Sequence, residues 1–335
     1  PVVAVLCYPA KERFMVEVIE TKVLYLPDDP SLRYLPEGPI QLDEERFSWV
    51  AIQHGADATQ GSLNIFNLAS GKNRNWPLPG RPGFAFPTRD PDLMVIGMER
   101  KLQLLDLATG DTEDLCTEID TDVSGTIIND GLAFPGGIIL GTKDLKFEEQ
   151  KAGLYYWRLR DRQLIRLRAD QVCSNGKVMT PRDGDRWNLW DIDSPTQTVV
   201  HYDFDAESGV LSEPTIAIDL RGEELFPDGM VLTPDGNSVI VALYNPQDAP
   251  CGETRQYGLA SGQVEAIWKT EAAAQVTCPL LMSWQGRVVL ILVTAAENMS
   301  VEKNQRQFNA GALFVGETSF DHGVEQVRLD INGTS

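Results

Sequence analysis

Five side chains far apart in this sequence are of types that could do chemistry together: Glu37, Asn129, Asp130, Asn175 and Asp228. They occur in Pro36-Glu37-Gly38-Pro39, Asn129-Asp130-Gly131, Ser174-Asn175-Gly176 and Pro227-Asp228-Gly229, in each case as an acid or amide next to Gly and ahead of an apolar run. Asn129 and Asn175 are 46 positions apart and Asn175 and Asp228 are 53 apart, while Glu37 precedes Asn129 by 92, close to two such intervals. Recurrence at a blade-like period of roughly 50 residues predicts equivalent positions in a repeat architecture, and in a ring these would face one small volume. Carboxylates held that close repel one another unless a counter-charge is present, so the pattern predicts a bound cation. All the donors are hard oxygens, with no His or Cys among them. That set favours Ca2+, with Mg2+, Mn2+ or Zn2+ as alternatives. Asp-Gly and Asn-Gly are also ordinary turn signals, and Pro234-Asp235-Gly236-Asn237, lying between two strands, reads as a plain turn.

The elements that must position these residues repeat as well. Short alternating segments, each leading into a Gly-, Asp- or Asn-containing turn, recur at Gly61 to Lys72, Lys101 to Asp111, Gly153 to Gln163, Thr198 to Gly209, Thr254 to Gly262 and Gly311 to Gly316. All but the last read as hairpins. Helical periodicity is scarce, and 28 Gly and 20 Pro are spread along the chain, which predicts many short strands. The predicted fold is therefore all-β, a six-bladed β-propeller forming one domain over residues 1–335. Its N-terminal segment, about residues 1–30 and centred on Phe14 to Leu26, is expected to supply a strand that closes the ring onto the last blade. Each blade should begin with its innermost strand; the second and sixth, near Gly83-Phe84 and Thr277-Cys278-Pro279, lack an acid at that point.

At these residues the chain resembles the senescence marker protein/gluconolactonase (regucalcin-like) family over about Leu35 to Gly316. The resemblance is carried by Cys173-Ser174-Asn175-Gly176, Trp190-Asp191-Ile192-Asp193-Ser194, His201-Tyr202-Asp203-Phe204-Asp205 and Phe226-Pro227-Asp228-Gly229-Met230. It implies that Glu37, Asn175 and Asp228 are metal ligands, that Asn129 lies beside the metal or contacts substrate, and that Asp130 lies at or just behind it. It also implies a divalent-metal-dependent hydrolase that opens a lactone or similar small ester. A metal-polarised carbonyl and a carboxylate-activated water would do the chemistry, with Asp228 as first candidate base and Asp130 as second. A phosphotriesterase or fluorophosphatase activity at the same metal and a non-catalytic calcium-binding propeller are the alternative readings. Ile127 stands where the family's sugar-lactone hydrolases carry Arg, which predicts a less polar lactone or ester.

The bulk properties narrow the partners. A formal net charge of -20 disfavours nucleic acid and anionic membranes, leaving a small-molecule substrate. The basic run Arg158 to Arg168 alternates with apolar residues and reads as a solvated strand pair. The longest apolar stretch, Arg287 to Ala296, is strand-length, well short of the roughly 18 residues of a spanning helix. Five widely spaced cysteines (Cys7, Cys116, Cys173, Cys251, Cys278) fit reduced thiols and a cytoplasmic location. Pro1 to Ala10 lacks a signal-peptide pattern, and the sequons at Asn298 and Asn332 would matter only on a secreted chain. Nucleophile-elbow, Walker and dinucleotide motifs are absent from the sequence, so no organic cofactor is expected. His201 is expected to be packed, and His54 to lie near the channel mouth at most. Trp49, Phe84 and Trp190 could line a pocket but are read mainly as core.

Overall fold

Alternating apolar and polar residues over short runs, broken by turn residues, fold into six antiparallel sheets arranged as a six-bladed β-propeller. The computed structural model describes residues 16–331. The readings made for Pro1 to Ala10, Phe14, Cys7 and Asn332 lie outside the described residues.

Each blade starts at the central channel. The innermost strands are Pro36–Gln41, Pro82–Pro87, Thr126–Phe134, Ser174–Pro181, Phe226–Leu232 and Val276–Trp284. The six sequence units map onto the outer part of each sheet; Gly61–Asn67 pairs with Lys72–Leu78, for example, and Lys101–Asp106 with Thr112–Cys116. The last unit, Leu313–Glu317, takes its outer partner from the start of the chain, where Lys22–Tyr25 pairs antiparallel with it. The preceding strand, Glu17–Glu20, was not foreseen: it adds a fifth, parallel strand outside Val264–Glu271 of blade five. The N-terminal segment therefore bridges two blades.

Six apolar clusters lie between successive blades, so no blade buries its faces alone. Phe47, Trp49, Leu280 and Ile291 fill the junction of blades six and one, and Phe84, Val95, Ile128 and Trp157 that of blades two and three. Phe134, Tyr156, Leu189 and Phe204 join blades three and four. Each fully buried side chain of this kind contributes roughly 1.5–3 kcal/mol, which makes ring closure a condition of stability. Trp49 is fully buried in this core.

The basic run lies on Ala152–Arg158 and Gln163–Gln171. Four of its five arginines are neutralised locally, Arg158 by Asp161, Arg160 by Glu207, Arg166 by Asp122 and Arg168 by Asp170, while Arg162 donates to the Ile331 carbonyl. Pro234 to Asn237 forms a turn in which Asp235 Oδ1 accepts from the Asn237 backbone N–H and Gly236 takes a φ of 71°. Among the described residues no helix is long and apolar enough to cross a membrane.

The antiparallel blade has a consequence for function. The first strand runs from one end of the channel to the other and the second returns, so the start of strand one and the loop after strand two meet at the same end.

Candidate functional site

The starts of the inner strands do not continue the ladder regularly. Pairing register shifts between Glu37 and Ile40, Ile128 and Asp130, Asn175 and Lys177, and Pro227 and Met230. A bulge leaves a residue unpaired and re-aims its side chain. All six inner strands carry such a shift, blades two and six between Pro82 and Phe84 and between Val276 and Cys278, and in the other four it falls at the predicted site residues. Glu37, Asn129, Asn175 and Asp228 consequently line one cavity of about 370 Å³ at one end of the channel.

The amides are held in defined orientations. Asn175 Nδ2 donates to Ser194 Oγ at 2.8 Å, and Ser194 Oγ in turn donates to the Pro227 carbonyl at 2.6 Å. Asn129 Nδ2 donates to the Ser174 carbonyl and to Asn175 Oδ1, both at 2.9 Å. The strand carrying Asn175 is anchored just upstream, where the Asp193 carboxylate accepts from the Val172 and Cys173 backbone N–H groups.

The two carboxylates are under electrostatic pressure. Enclosure in the channel, together with Asp228 and Asp130, pushes Glu37 well above the ordinary carboxylate range. Burial, followed by the nearby Asp130, does the same to Asp228. Asp228 Oδ1 is buried without a hydrogen-bond partner. A buried acceptor with no donor and two desolvated carboxylates beside two amides form a site that a hard cation would complete. Among the described residues no group of three or more His, Cys, Asp or Glu side chains could hold a metal; the donor set here is mixed carboxylate and amide.

Asp130 faces elsewhere. It lines a second cavity, of about 220 Å³, at the far end of the channel with Phe84, Met179, Lys177 and residues 324–327. Its Oδ1 accepts from the Gly131 backbone N–H at 2.7 Å, and Lys177 Nζ is 3.9 Å from Oδ2 and 3.5 Å from Asp191 Oδ1. Burial pushes Asp191 up to about 6 even beside that ammonium. Asp130 therefore stands behind the four-residue cluster and acts on it through charge. Cys173 lines the first cavity and Cys278 the second; burial pushes both thiols up, leaving them without nucleophilic character. His54 and His201 are engaged by Ser62 Oγ and Asn188 Oδ1 at 3.0 and 3.1 Å and line neither cavity.

Several lining residues carry no motif in the sequence. Lys143 and Phe147, Pro195, Tyr244 and Pro246, and Glu297 and Asn298 come from the ends of the second strands and the loops that follow. Tyr244 donates its hydroxyl to Glu297 Oε2 at 3.2 Å, and Tyr34 to Asn298 Oδ1 at 3.0 Å. The signal that could have found them is the return of each second strand to the site end. Ile127 does not line the cavity; the residue opposite it in the ladder, Lys143, does. The cavity therefore carries a cation near the position that suggested an apolar contact.

The loop bearing Phe147 is organised by Asp144. Burial alone would raise this carboxyl, but the backbone N–H groups of Glu149, Glu148 and Lys146 and the Lys151 ammonium hold it at about 2. Because that lies below the ordinary 3.8, its contribution is complete above pH ~4 and is lost as pH falls toward ~2. Asp144→Ala is expected to cost about 1–2 kcal/mol and to raise hydrogen exchange in residues 145–150, with the cost shrinking as pH falls toward ~2. Urea melts at pH 7 and pH 2.5 check this; an equal cost at both rules out the carboxylate as the clamp.

With this geometry in place, a family-wide comparison matches residues 35–295 to the SMP-30/Gluconolactonase/LRE-like region. The chain belongs to this family. Within it, a Bacillus subtilis (strain 168) protein provisionally named sugar lactone lactonase YvrE is 28% identical over 283 residues, 83% of this chain and 89% of that protein. The L-arabinolactonase of Azospirillum brasilense is 26% identical over 245 residues, 72% and 76% of the two chains. Among solved structures, the calcium-binding protein regucalcin of Agrobacterium tumefaciens superposes with a TM-score of 0.77 at 22% identity, covering 94% of this chain and 99% of that one. At that identity the superposition speaks for the fold.

Proposed function

We propose that this chain hydrolyses a lactone in the cavity formed by Glu37, Asn129, Asn175 and Asp228, with a divalent cation, calcium first, held by Glu37, Asn175 and Asp228. The observation that carries the reading is the meeting of four oxygen-bearing side chains from blades one, three, four and five in one open cavity, with Asp228 Oδ1 buried and unpartnered. Family relatives named as lactone hydrolases support the reaction class.

A bound divalent cation would polarise a carbonyl and offset the negative charge that develops on its oxygen, an effect typically worth several kcal/mol. The residues of the chain supply the rest. Asp228 accepts the proton of the attacking water, because its Oδ1 has no competing donor. Ser194 fixes the Asn175 amide nitrogen, and the amide oxygen accepts from Asn129 Nδ2 with one lone pair, keeping the other for the cavity side. Asn129 ties blade three to blade four and keeps Asn175 in register with Asp228. Phe147, Phe226, Pro195 and Leu35 supply apolar walls that exclude water from the ring of the substrate. Asp130, lining the other cavity, tunes Asp228 through its charge and does not reach the water.

A cytoplasmic location is part of the same reading, supported by free thiols at Cys116, Cys173, Cys251 and Cys278.

Metal reconstitution tests the proposal. Stripping the protein with chelator is expected to abolish hydrolysis of simple γ- and δ-lactones, and Ca2+ added back is expected to restore it best among Ca2+, Mg2+, Mn2+ and Zn2+. Aryl phosphotriesters run in parallel serve as the competing substrates. Restoration on phosphotriesters alone would replace the lactonase reading, and failure of every cation on every substrate would leave a non-catalytic propeller.

A further inference from the structure

Lys143 has no task in the chemistry described so far. Its side chain lines the cavity and is only 5% exposed. Among the described residues its ammonium makes no ion pair within 4.0 Å and no hydrogen bond; the Phe147 ring lies 5.8 Å from Nζ, and Asp228 and Glu37 feel its charge only at longer range. It is also the sole basic side chain among the described lining residues. Every other charged group there has an assigned partner: Glu37 and Asp228 face the proposed ion, and Glu297 accepts from the Tyr244 hydroxyl. A cavity-lining ammonium with no anion in contact has hydrogen-bonding capacity to spare, and a ligand that brings an anion uses it.

We propose that Lys143 makes this a site for acidic substrates, pairing with a carboxylate carried on or beside the lactone ring. The proposal rests on the lactonase reading for the ring and on the unpaired ammonium for the acid. Phe147 suits the role. It lies in the left-handed region with a φ of 56°, is 52% exposed, and belongs to the loop that Asp144 clamps. Its ring thereby shields the ammonium from bulk water on one side and leaves the cavity side for the substrate acid. With the chain at a net charge of -20, an anionic substrate is repelled at long range, so recognition must come from a short-range contact of this kind. A neutral hydroxyl could also contact Lys143, but a hydrogen bond between charged groups is worth roughly twice one between neutral groups, and the contrast is measurable.

The test compares tetrahydrofuran-2-carboxylate with tetrahydrofuran-2-carboxamide by calorimetry, in calcium-containing buffer, on the wild type, Lys143→Met and Lys143→Arg. Neither probe is a lactone, so binding is read without turnover. The wild type and Lys143→Arg are expected to bind the carboxylate about tenfold or more tightly over the amide, and Lys143→Met to bind both within about twofold. Absence of preference in the wild type, or a preference that survives in Lys143→Met, overturns the proposal, the second result placing the anion on the cation or elsewhere. Lys143→Arg guards against a folding artefact, since it keeps the charge. Hydrolysis of 5-oxotetrahydrofuran-2-carboxylate and its carboxamide is followed separately. If neither is opened while the binding preference depends on Lys143, the lactonase reading fails and the acid site stands; if both are opened at similar rates without a Lys143-dependent preference, the reverse holds.

Discussion

Asp228→Asn lowers lactone turnover by roughly a hundred- to ten-thousand-fold, the range that loss of a positioned general base produces. The substitution keeps shape and a potential oxygen ligand while removing basicity. Asp228 is buried, its Oδ1 lacks a partner, and burial with the nearby Asp130 pushes its carboxyl well above the ordinary range. In the metal-free protein that carboxylate is a liability, so the Asn variant should melt at or above the wild-type temperature after chelation. The calcium-induced rise in melting temperature should shrink, since a neutral amide binds a hard cation less strongly. Turnover and calcium-dependent melts on the same preparations decide the matter. Wild-type turnover with the cation still bound would remove Asp228 from the role of base, and a chelated variant melting far below wild type would mean that the carboxylate is structurally satisfied.

The second large effect is expected at Gly176→Ala. A Cβ at this position would lie 2.6 Å from the Met230 backbone nitrogen and 2.7 Å from the Asp228 carbonyl oxygen. Backbone atoms of a paired strand cannot rotate away, so the inner strands of blades four and five must separate. Overpacking of this kind costs about 3 kcal/mol. The displaced strand carries Asp228, and activity should fall with stability. Gly236→Ala is the comparison: it lies in an exposed turn at a φ of 71° with its nearest atom 4.0 Å away, and should cost about 1 kcal/mol without loss of activity. Urea denaturation and lactone turnover on both variants test the pair. A Gly176→Ala protein as stable and active as wild type would show that the inner strands do not need this close approach.

These two positions also mark how far the sequence could be read. Asp228 was visible because its type, its neighbouring Gly and its spacing from Asn175 repeat a pattern, and a repeat of that length places equivalent residues on one ring. Gly176 and Gly229 were visible as glycines; that they allow adjacent inner strands to touch, with Cys278 Sγ 2.5 Å from a Cβ at Gly229, required coordinates. Asn129 and Asp130 could be separated only by resemblance, not from the residues themselves. As neighbours on one strand either could face the cluster, and the register shift between Ile128 and Asp130 decides that Asn129 does. Ile127 led to an expectation of a less polar substrate because its own side chain is apolar, whereas the cavity wall at that place is Lys143 from the adjacent strand.

The sequence by itself determined the class of fold, the approximate starts of the six inner strands and four oxygen-bearing residues that line the cavity, because strand alternation and repeat spacing are local, periodic properties that survive without contacts. Tertiary structure alone decided the cavity walls, the opening of Asp130 into a second cavity and the parallel strand Glu17–Glu20 outside blade five. Lys143, Tyr244 and Glu297 belong to no repeated motif: they reach the site from second strands and loops of unequal length. Such residues are brought together only by the return of an antiparallel strand to the end where its neighbour began, a relation between elements that no single stretch of sequence encodes.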